Sequence, residues 1–203
     1  CMDSCVTAPT DSDGRFSYST LDVGTHTMQA VSFSDELHST PHAILTLADG
    51  DSRQLEDWVL PQFVSKQTLD GPTTVSLDGG LVVEADPESL GIGLYSSSVE
   101  PYVAAARMVP DTSGLPTDGL PGTPAALWYL GNYDLQIDPP WPLTGTAALD
   151  LTAGSYQLWT ADNDTKSWRA EGTLEIDAEG GAALIEGGLS QLTTLVLTAE
   201  EPP

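Results

Sequence analysis

The chain has 203 residues, of which 30 are Asp or Glu and only 6 are Lys or Arg, giving a formal net charge of -24 at pH 7. That balance repels phosphate backbones and anionic headgroups, so nucleic acid and membrane surfaces are excluded as expected partners. Hydrophobic residues make up 40%, enough for a core, while 19 Gly and 15 Pro favour turns over long helices, and no apolar run is long enough to span a bilayer. The acidity has two readings: a solvated surface suited to salty or extracellular water, or the binding of a divalent cation such as calcium.

In chain order, Cys1 and Cys5 come first, in CMDSC. A chain starting at Cys1 reads as a processed product or a fragment, with Cys1 a candidate lipidation site and a local disulfide to Cys5 the other reading. Residues 1–60 read as a first unit. Thr10-Asp11-Ser12-Asp13-Gly14-Arg15-Phe16 is a turn leading into a strand through Phe16 and Tyr18, and Leu21 to Val31 is a second turn and strand. Ala43 to Leu47 and Leu55 to Leu60 are two further predicted strands.

The T-D-x-D-G-x-F spacing followed by L-x-x-G-T-H-x-M resembles the carboxypeptidase regulatory-like, or transthyretin-like, sandwich repeat. The resemblance covers about residues 8–60 and implies a β-sandwich of the kind found in secreted and surface proteins. Such repeats open with one or two strands before this turn, and here only about nine residues precede it. The first sandwich is therefore expected to lack its opening strand or strands, either as a fragment or with an edge that accepts a strand from a partner.

Residues 61–72, PQFVSKQTLDGP, lose the alternation and read as a linker. A second sandwich is expected over 73–198, with 199–203 a tail. It opens with a hairpin, Val75 and Leu77 against Leu81 and Val83 around Asp78-Gly79-Gly80. Strands follow at Gly91 to Tyr95 and Pro101 to Val109, the latter carrying a helix-forming Ala104-Ala105-Ala106 run over 102–108. The proline-rich stretch from Val109 to Ala126 reads as a long surface loop, in which Pro110, Leu115, Pro116, Leu120 and Pro121 are the candidate partner-binding residues. Ala126 to Leu130 is an aromatic strand, and Asp138-Pro139-Pro140-Trp141-Pro142 a polyproline-like segment. Two alternating strands, Gly154 to Thr160 and Trp168 to Ile176, flank the turn Asp162-Asn163-Asp164-Thr165, with Arg169, Glu171, Thr173 and Glu175 on a charged face. Ala182 to Ile185 and Leu192 to Leu197 complete the set.

Gly80 to Pro87 and the Trp159 to Gly172 strand-turn-strand resemble the sandwich domains of ankyrin and netrin-receptor type and their bacterial surface relatives. Some of those self-cleave at His-Phe-Ser. Phe33-Ser34 has no preceding His and lies in the other unit, so cleavage is not carried over.

The chemical motifs of common enzymes are missing. There is no Gly-x-Ser-x-Gly elbow, no HExxH around His38 and His42, and no phosphate loop at Gly79-Gly80 or Gly180-Gly181. His38 and His42 are four apart but separated from a helical arrangement by Pro41, and read as surface or edge-strand histidines. Asp11 with Asp13, and Asp162 with Asp164, place oxygens at alternate positions as candidate calcium ligands, although neither pair continues into an EF-hand loop. Trp128, Tyr133 and Trp141 are a candidate sugar platform, with Glu84 or Asp134 as carboxylates for a carbohydrate-active site.

The sequence thus predicts an all-β chain of two tandem β-sandwich units, located extracellularly, at the cell surface or in the periplasm. It is expected to be a non-enzymatic structural or adhesive module that needs no cofactor beyond candidate calcium. Its partner would be a protein, a neighbouring subunit or a glycan, reached through a sheet edge or the 110–125 loop. The rivals are a carbohydrate-binding or carbohydrate-active protein, and an accessory lipoprotein subunit of an envelope complex.

Overall fold

The computed structural model describes residues 6–19, 21–31, 38–91, 100–131 and 135–200. These residues are all-β, with helical structure confined to three-residue 3₁₀ turns. The first two strands, β1 (Gly24–Gln29) and β2 (His42–Leu47), form an antiparallel pair of their own. Next come β3 (Ser65–Thr68), β4 (Thr73–Ser76), β5 (Leu81–Ala85), β6 (Leu90–Gly91), β7 (Tyr102–Met108) and β8 (Pro124–Gly131). The remainder are β9 (Leu135–Trp141), β10 (Leu143–Gly145), β11 (Gly154–Asp162), β12 (Ser167–Ile176), β13 (Ala182–Gly187), β14 (Leu189–Leu192) and β15 (Thr194–Ala199).

Ten of these strands make one sheet in the order β3-β7-β8-β15-β11-β12-β13-β10-β5-β4, and a three-stranded sheet has the order β14-β9-β6. The two edges of the large sheet, β3 and β4, are consecutive in the chain, so the sheet coils until its ends nearly meet. A clasp sits at that seam. The Asp78 carboxylate accepts the Arg107 amide at 2.7 Å, and the Asp78 carbonyl accepts the Trp128 indole N–H at 2.8 Å. The Arg107 guanidinium lies 5.5 Å from the Trp128 ring centre and donates to the carbonyls of Ala148 and Leu149. Gly80 permits this closure: with φ at +85°, a Cβ there would lie 2.7 Å from the Leu149 nitrogen.

Alternation decides what each strand buries. Along β8, Ala126, Trp128 and Leu130 point into the main core with Leu81, Val83 and Leu158, while Leu127 and Tyr129 point the other way. In β15, Leu195 and Leu197 join the main core and Val196 the outer cluster. Strands apolar on both faces need cover on both. The outer cover is the β1–β2 hairpin with the loop before β8: Ala43, Ile44 and Leu115 pack against Leu127, Tyr129, Ala161, Trp168 and Val196.

The expected Pro101 to Val109 strand is present as β7, because its residues sit between β3 and β8 in a sheet that overrides the helix propensity of the alanine run. Several other local expectations change. Phe16 to Tyr18 and Leu55 to Leu60 form no strand. Ser65–Thr68, inside the expected linker, is edge strand β3, paired with β7 from Ser65↔Ala105 to Thr68↔Tyr102. Residues 138–141 belong to β9, paired with β14, and the Asp138-Pro139 peptide is cis. The part of the predicted Gly91 to Tyr95 strand beyond Gly91 lies outside the described residues.

Candidate functional site

The predicted Gly154 to Ile176 hairpin is present as β11 and β12, but a bulge changes what it presents. The β11–β12 register shifts between Leu158 and Trp159, and the β12–β13 register between Thr173 and Leu174. A one-residue slip exchanges the faces of a strand. Glu171, expected on the charged face, is therefore buried with 6% exposure, and Ala170 is exposed. Gly187, with φ at +82°, allows the approach, since a Cβ there would collide with the Glu171 carbonyl.

Around Glu171 lies a chain of polar groups. Its carboxylate accepts the Thr160 hydroxyl at 2.6 Å, the Ser190 hydroxyl at 2.8 Å and the Ser190 amide at 2.9 Å. The Gln191 side-chain amide donates to Thr160 Oγ1 at 2.7 Å, and Gln136 reaches Gln191 at 3.4 Å. Arg169 pairs with Asp162 and touches Ser190. Every oxygen of Glu171 is engaged by strands of the protein itself, so the cluster fixes β11, β12 and β14 against each other.

A second polar seam joins the hairpin to the sheet. His42 has 0% exposure, correcting the expectation of a surface or edge histidine: β2 is buried on both faces under the outer cluster. Its Nδ1 lies 2.9 Å from Thr193 Oγ1, whose hydroxyl donates to the Ala161 carbonyl, and its amide donates to Thr194 Oγ1 at 2.8 Å. Burial lowers the His42 pKa to about 4. In the outer cluster, burial pushes the Tyr129 phenol up to about 12, against hydrogen bonds with Trp58 and Ser113 that pull it down.

The expected partner loop binds the protein's own hairpin. Thr117 bridges Ile44 in parallel, the Asp118 amide donates to the Ile44 carbonyl at 3.3 Å, and the Asp118 carboxylate accepts the Thr46 amide at 2.8 Å. Arg53 pairs with the same carboxylate. Burial acts to raise the Asp118 pKa, but the Arg53 hydrogen bond, the Thr46 amide and the Arg53 charge together hold it below its ordinary value. Leu115 and Pro116 are buried, Pro110 and Leu120 half-buried, and only Pro121 of the five is exposed. Pro110 and Leu115 line a cleft of about 170 Å³ with Asp111, Ser113, Thr117, Pro124, Leu127 and Val196, smaller than the ~300 Å³ at which small-molecule sites begin.

The other predicted residues are dispersed. Trp128 and Trp141 are 0% and 2% exposed, with indole N–H groups bound to Asp78 and to Ser89 Oγ. Both are core, and neither of these two rings has a face open to a sugar. Tyr133, Asp134 and Cys1 lie outside the described residues. Glu84 accepts the Thr74 hydroxyl across β4–β5, and Asp86 caps the next 3₁₀ turn through the Glu88 amide. Asp11 accepts the amides of Asp13 and Arg15, and Arg15 pairs with Asp13. Asp162 accepts the amides of Asp164 and Thr165 with one oxygen and Arg169 with the other. Both aspartate pairs sit in turns in which the carboxylates of Asp11, Asp13 and Asp162 hold donors of the protein itself. Among the described residues no three His, Cys, Asp or Glu side chains gather as metal ligands, and no helix is long and apolar enough to cross a membrane.

What the structure leaves outward-facing is a strand edge. Ala30 donates to the Pro41 carbonyl, so residues 24, 26 and 28 face β2 with their backbone groups. The N–H and C=O groups of Thr25 and Thr27 then point away from β2, and among the described residues no strand pairs there. Sequence reasoning found the possibility of an open edge in this unit through the missing opening strand. The Glu171 and His42 seams it missed, since neither a bulge nor two-sided burial is written in the period of the side chains. Family models, curated proteins and solved structures were all compared with the chain, and none matches.

Proposed function

We propose that the protein is a non-enzymatic exported or cell-surface module, structural or adhesive, that recognises a protein partner by adding that partner's extended segment to the edge of β1. The observation that carries this reading is the outward direction of the Thr25 and Thr27 backbone groups on a strand, GTHTMQ, that holds no Asp, Glu, Lys or Arg. Backbone pairing would supply affinity, and the alternating side chains specificity. The large sheet's own edges are poorer templates. β3 and β4 are four residues long, and β3 carries Lys66.

The buried polar groups fit a scaffold. Glu171, Thr160, Gln191 and His42 spend their hydrogen bonds on strand positions, where a catalytic group would need access to a substrate. The acidic composition suits extracellular or periplasmic water and favours a partner that is not itself strongly acidic.

The test is capture of partners from a cell-surface extract by the intact chain and by Thr27→Pro, which removes an outward amide that β2 does not use. The expected result is loss of the captured protein with the fold retained by circular dichroism. Undiminished capture by Thr27→Pro, or turnover of a substrate by the purified chain, would overturn the reading.

A further inference from the structure

We propose that Thr160 and Gln191 react with each other inside the folded chain, forming an ester between Thr160 Oγ1 and Gln191 Cδ with release of ammonia, and that Glu171 is the base for this step. The bond is a self-made cross-link and does not depend on the β1 edge.

Thr160 of β11, Glu171 of β12 and Gln191 of β14 meet in the interior, with 0%, 6% and 1% exposure. The Thr160 hydroxyl donates its single proton to Glu171 Oε1 at 2.6 Å, which leaves its lone pairs facing Gln191. Gln191 Nε2, one covalent bond from Cδ, lies 2.7 Å from the same oxygen. Ser190 holds the base in place: its hydroxyl donates to Oε1 at 2.8 Å and its amide to Oε2 at 2.9 Å. On the far side of the Gln191 amide, Gln136 Nε2 reaches Oε1 at 3.4 Å, where negative charge develops when Cδ is attacked. A nucleophile with its base, an electrophile and an oxyanion donor thus stand in reacting order. The substrate is the protein's own side chain, so burial is no obstacle.

In the step, Thr160 Oγ1 bonds to Cδ while its proton passes to Glu171, and the carbonyl electron pair moves onto Oε1. The pair then returns, the Cδ–Nε2 bond breaks, and Glu171 gives the proton to the departing nitrogen. An alcohol and a carboxamide become an ester and ammonia. Glu171 is again a carboxylate, and no oxidant, reductant or further reactant is consumed. Burial acts twice, because the groups are positioned before they react and the water that would hydrolyse the ester is excluded. Gln136 is exposed on β9, so ammonia leaves on that side. The ester joins β11 of the ten-stranded sheet to β14 of the three-stranded sheet across a sequence separation of 31, and it closes that loop in the unfolded chain as well.

Mass spectrometry of the reduced, full chain tests this. The folded protein is expected to be about 17 Da lighter than its sequence, the mass of the released ammonia, and proteolysis should yield a cross-linked pair of peptides carrying Thr160 and Gln191. Hydroxylamine should separate that pair, as it does esters. Thr160→Val and Glu171→Gln should each keep the encoded mass and give no such pair. If neither variant folds, the mass and the peptide map of the unaltered chain decide the matter. The proposal is overturned if the folded, unaltered chain has its encoded mass, if the lost ammonia maps to an asparagine instead, or if folded Thr160→Val or Glu171→Gln shows the same mass loss.

Discussion

The large sheet and the hairpin laid across it are both antiparallel, yet they are held by different physics. The sheet encloses a core in which Leu81, Val83, Leu143, Leu158 and Leu174 are fully buried, and its seam is closed by an arginine that donates to two carbonyls of a distant turn. The hairpin contributes Ala43, Ile44 and Met28 to a smaller cluster and is otherwise held by discrete polar contacts through His42, Thr117 and Asp118. Area-based stabilisation is spread over many residues and insensitive to pH. Point contacts of the second kind can be removed one at a time.

Substitutions can break or sharpen this contrast. The largest effect is expected at Glu171→Ala, which strands the buried Thr160 hydroxyl and the half-buried Ser190 amide and hydroxyl. Urea unfolding should show a loss of about 3–5 kcal/mol, with both regions affected. Leu158→Ala opens a cavity in the same core, and about 2–4 kcal/mol is expected from the same measurement. Arg107→Met keeps the stem over Trp128 but removes the bonds to Ala148 and Leu149, for about 1.5–3 kcal/mol. Asp118→Asn should leave global unfolding nearly unchanged and raise hairpin exchange at pH 7 by the equivalent of about 0.5–1 kcal/mol. A global loss from Asp118→Asn as large as that from Leu158→Ala would erase the distinction between the two regions.

The sequence made part of this visible. The β11–β12 hairpin was readable because Tyr156 and Leu158, then Leu174 and Ile176, alternate with polar residues on either side of an Asp-Asn-Asp turn. The all-β class followed from such strands and from the turn residues between them. The inversion at Glu171 was not readable, since it depends on Gly187 of another strand standing against the Glu171 carbonyl. Ser65–Thr68 looked like linker because an edge strand of polar residues carries little hydrophobic pattern. The tryptophans were ambiguous in isolation, and only the coiling of the sheet around them assigns them to the core. The 110–125 loop reads as a surface for a partner, and within this chain its Leu115 packs in the cluster that holds Ala43 and Ile44 of the hairpin.

Site reading shows the same division. From the missing opening strand the sequence offers two readings of this unit, a fragment or a strand-accepting edge, and the outward Thr25 and Thr27 backbone groups of β1 lie in the same unit. The role of His42 was not readable, because burial of β2 on both faces depends on residues about 150 positions away, Thr193 and Thr194.

The most direct test of the contrast is native-state hydrogen exchange at pH 7 in low urea, read residue by residue in β2 and in β11. The expected result is that Ala43, Ile44 and Leu45 open through a local event, with a lower free energy and a weaker urea dependence than Leu158 and Thr160. Identical free energies and identical urea slopes at the two sets of amides would contradict it, and would mean that hairpin and sheet unfold as one unit.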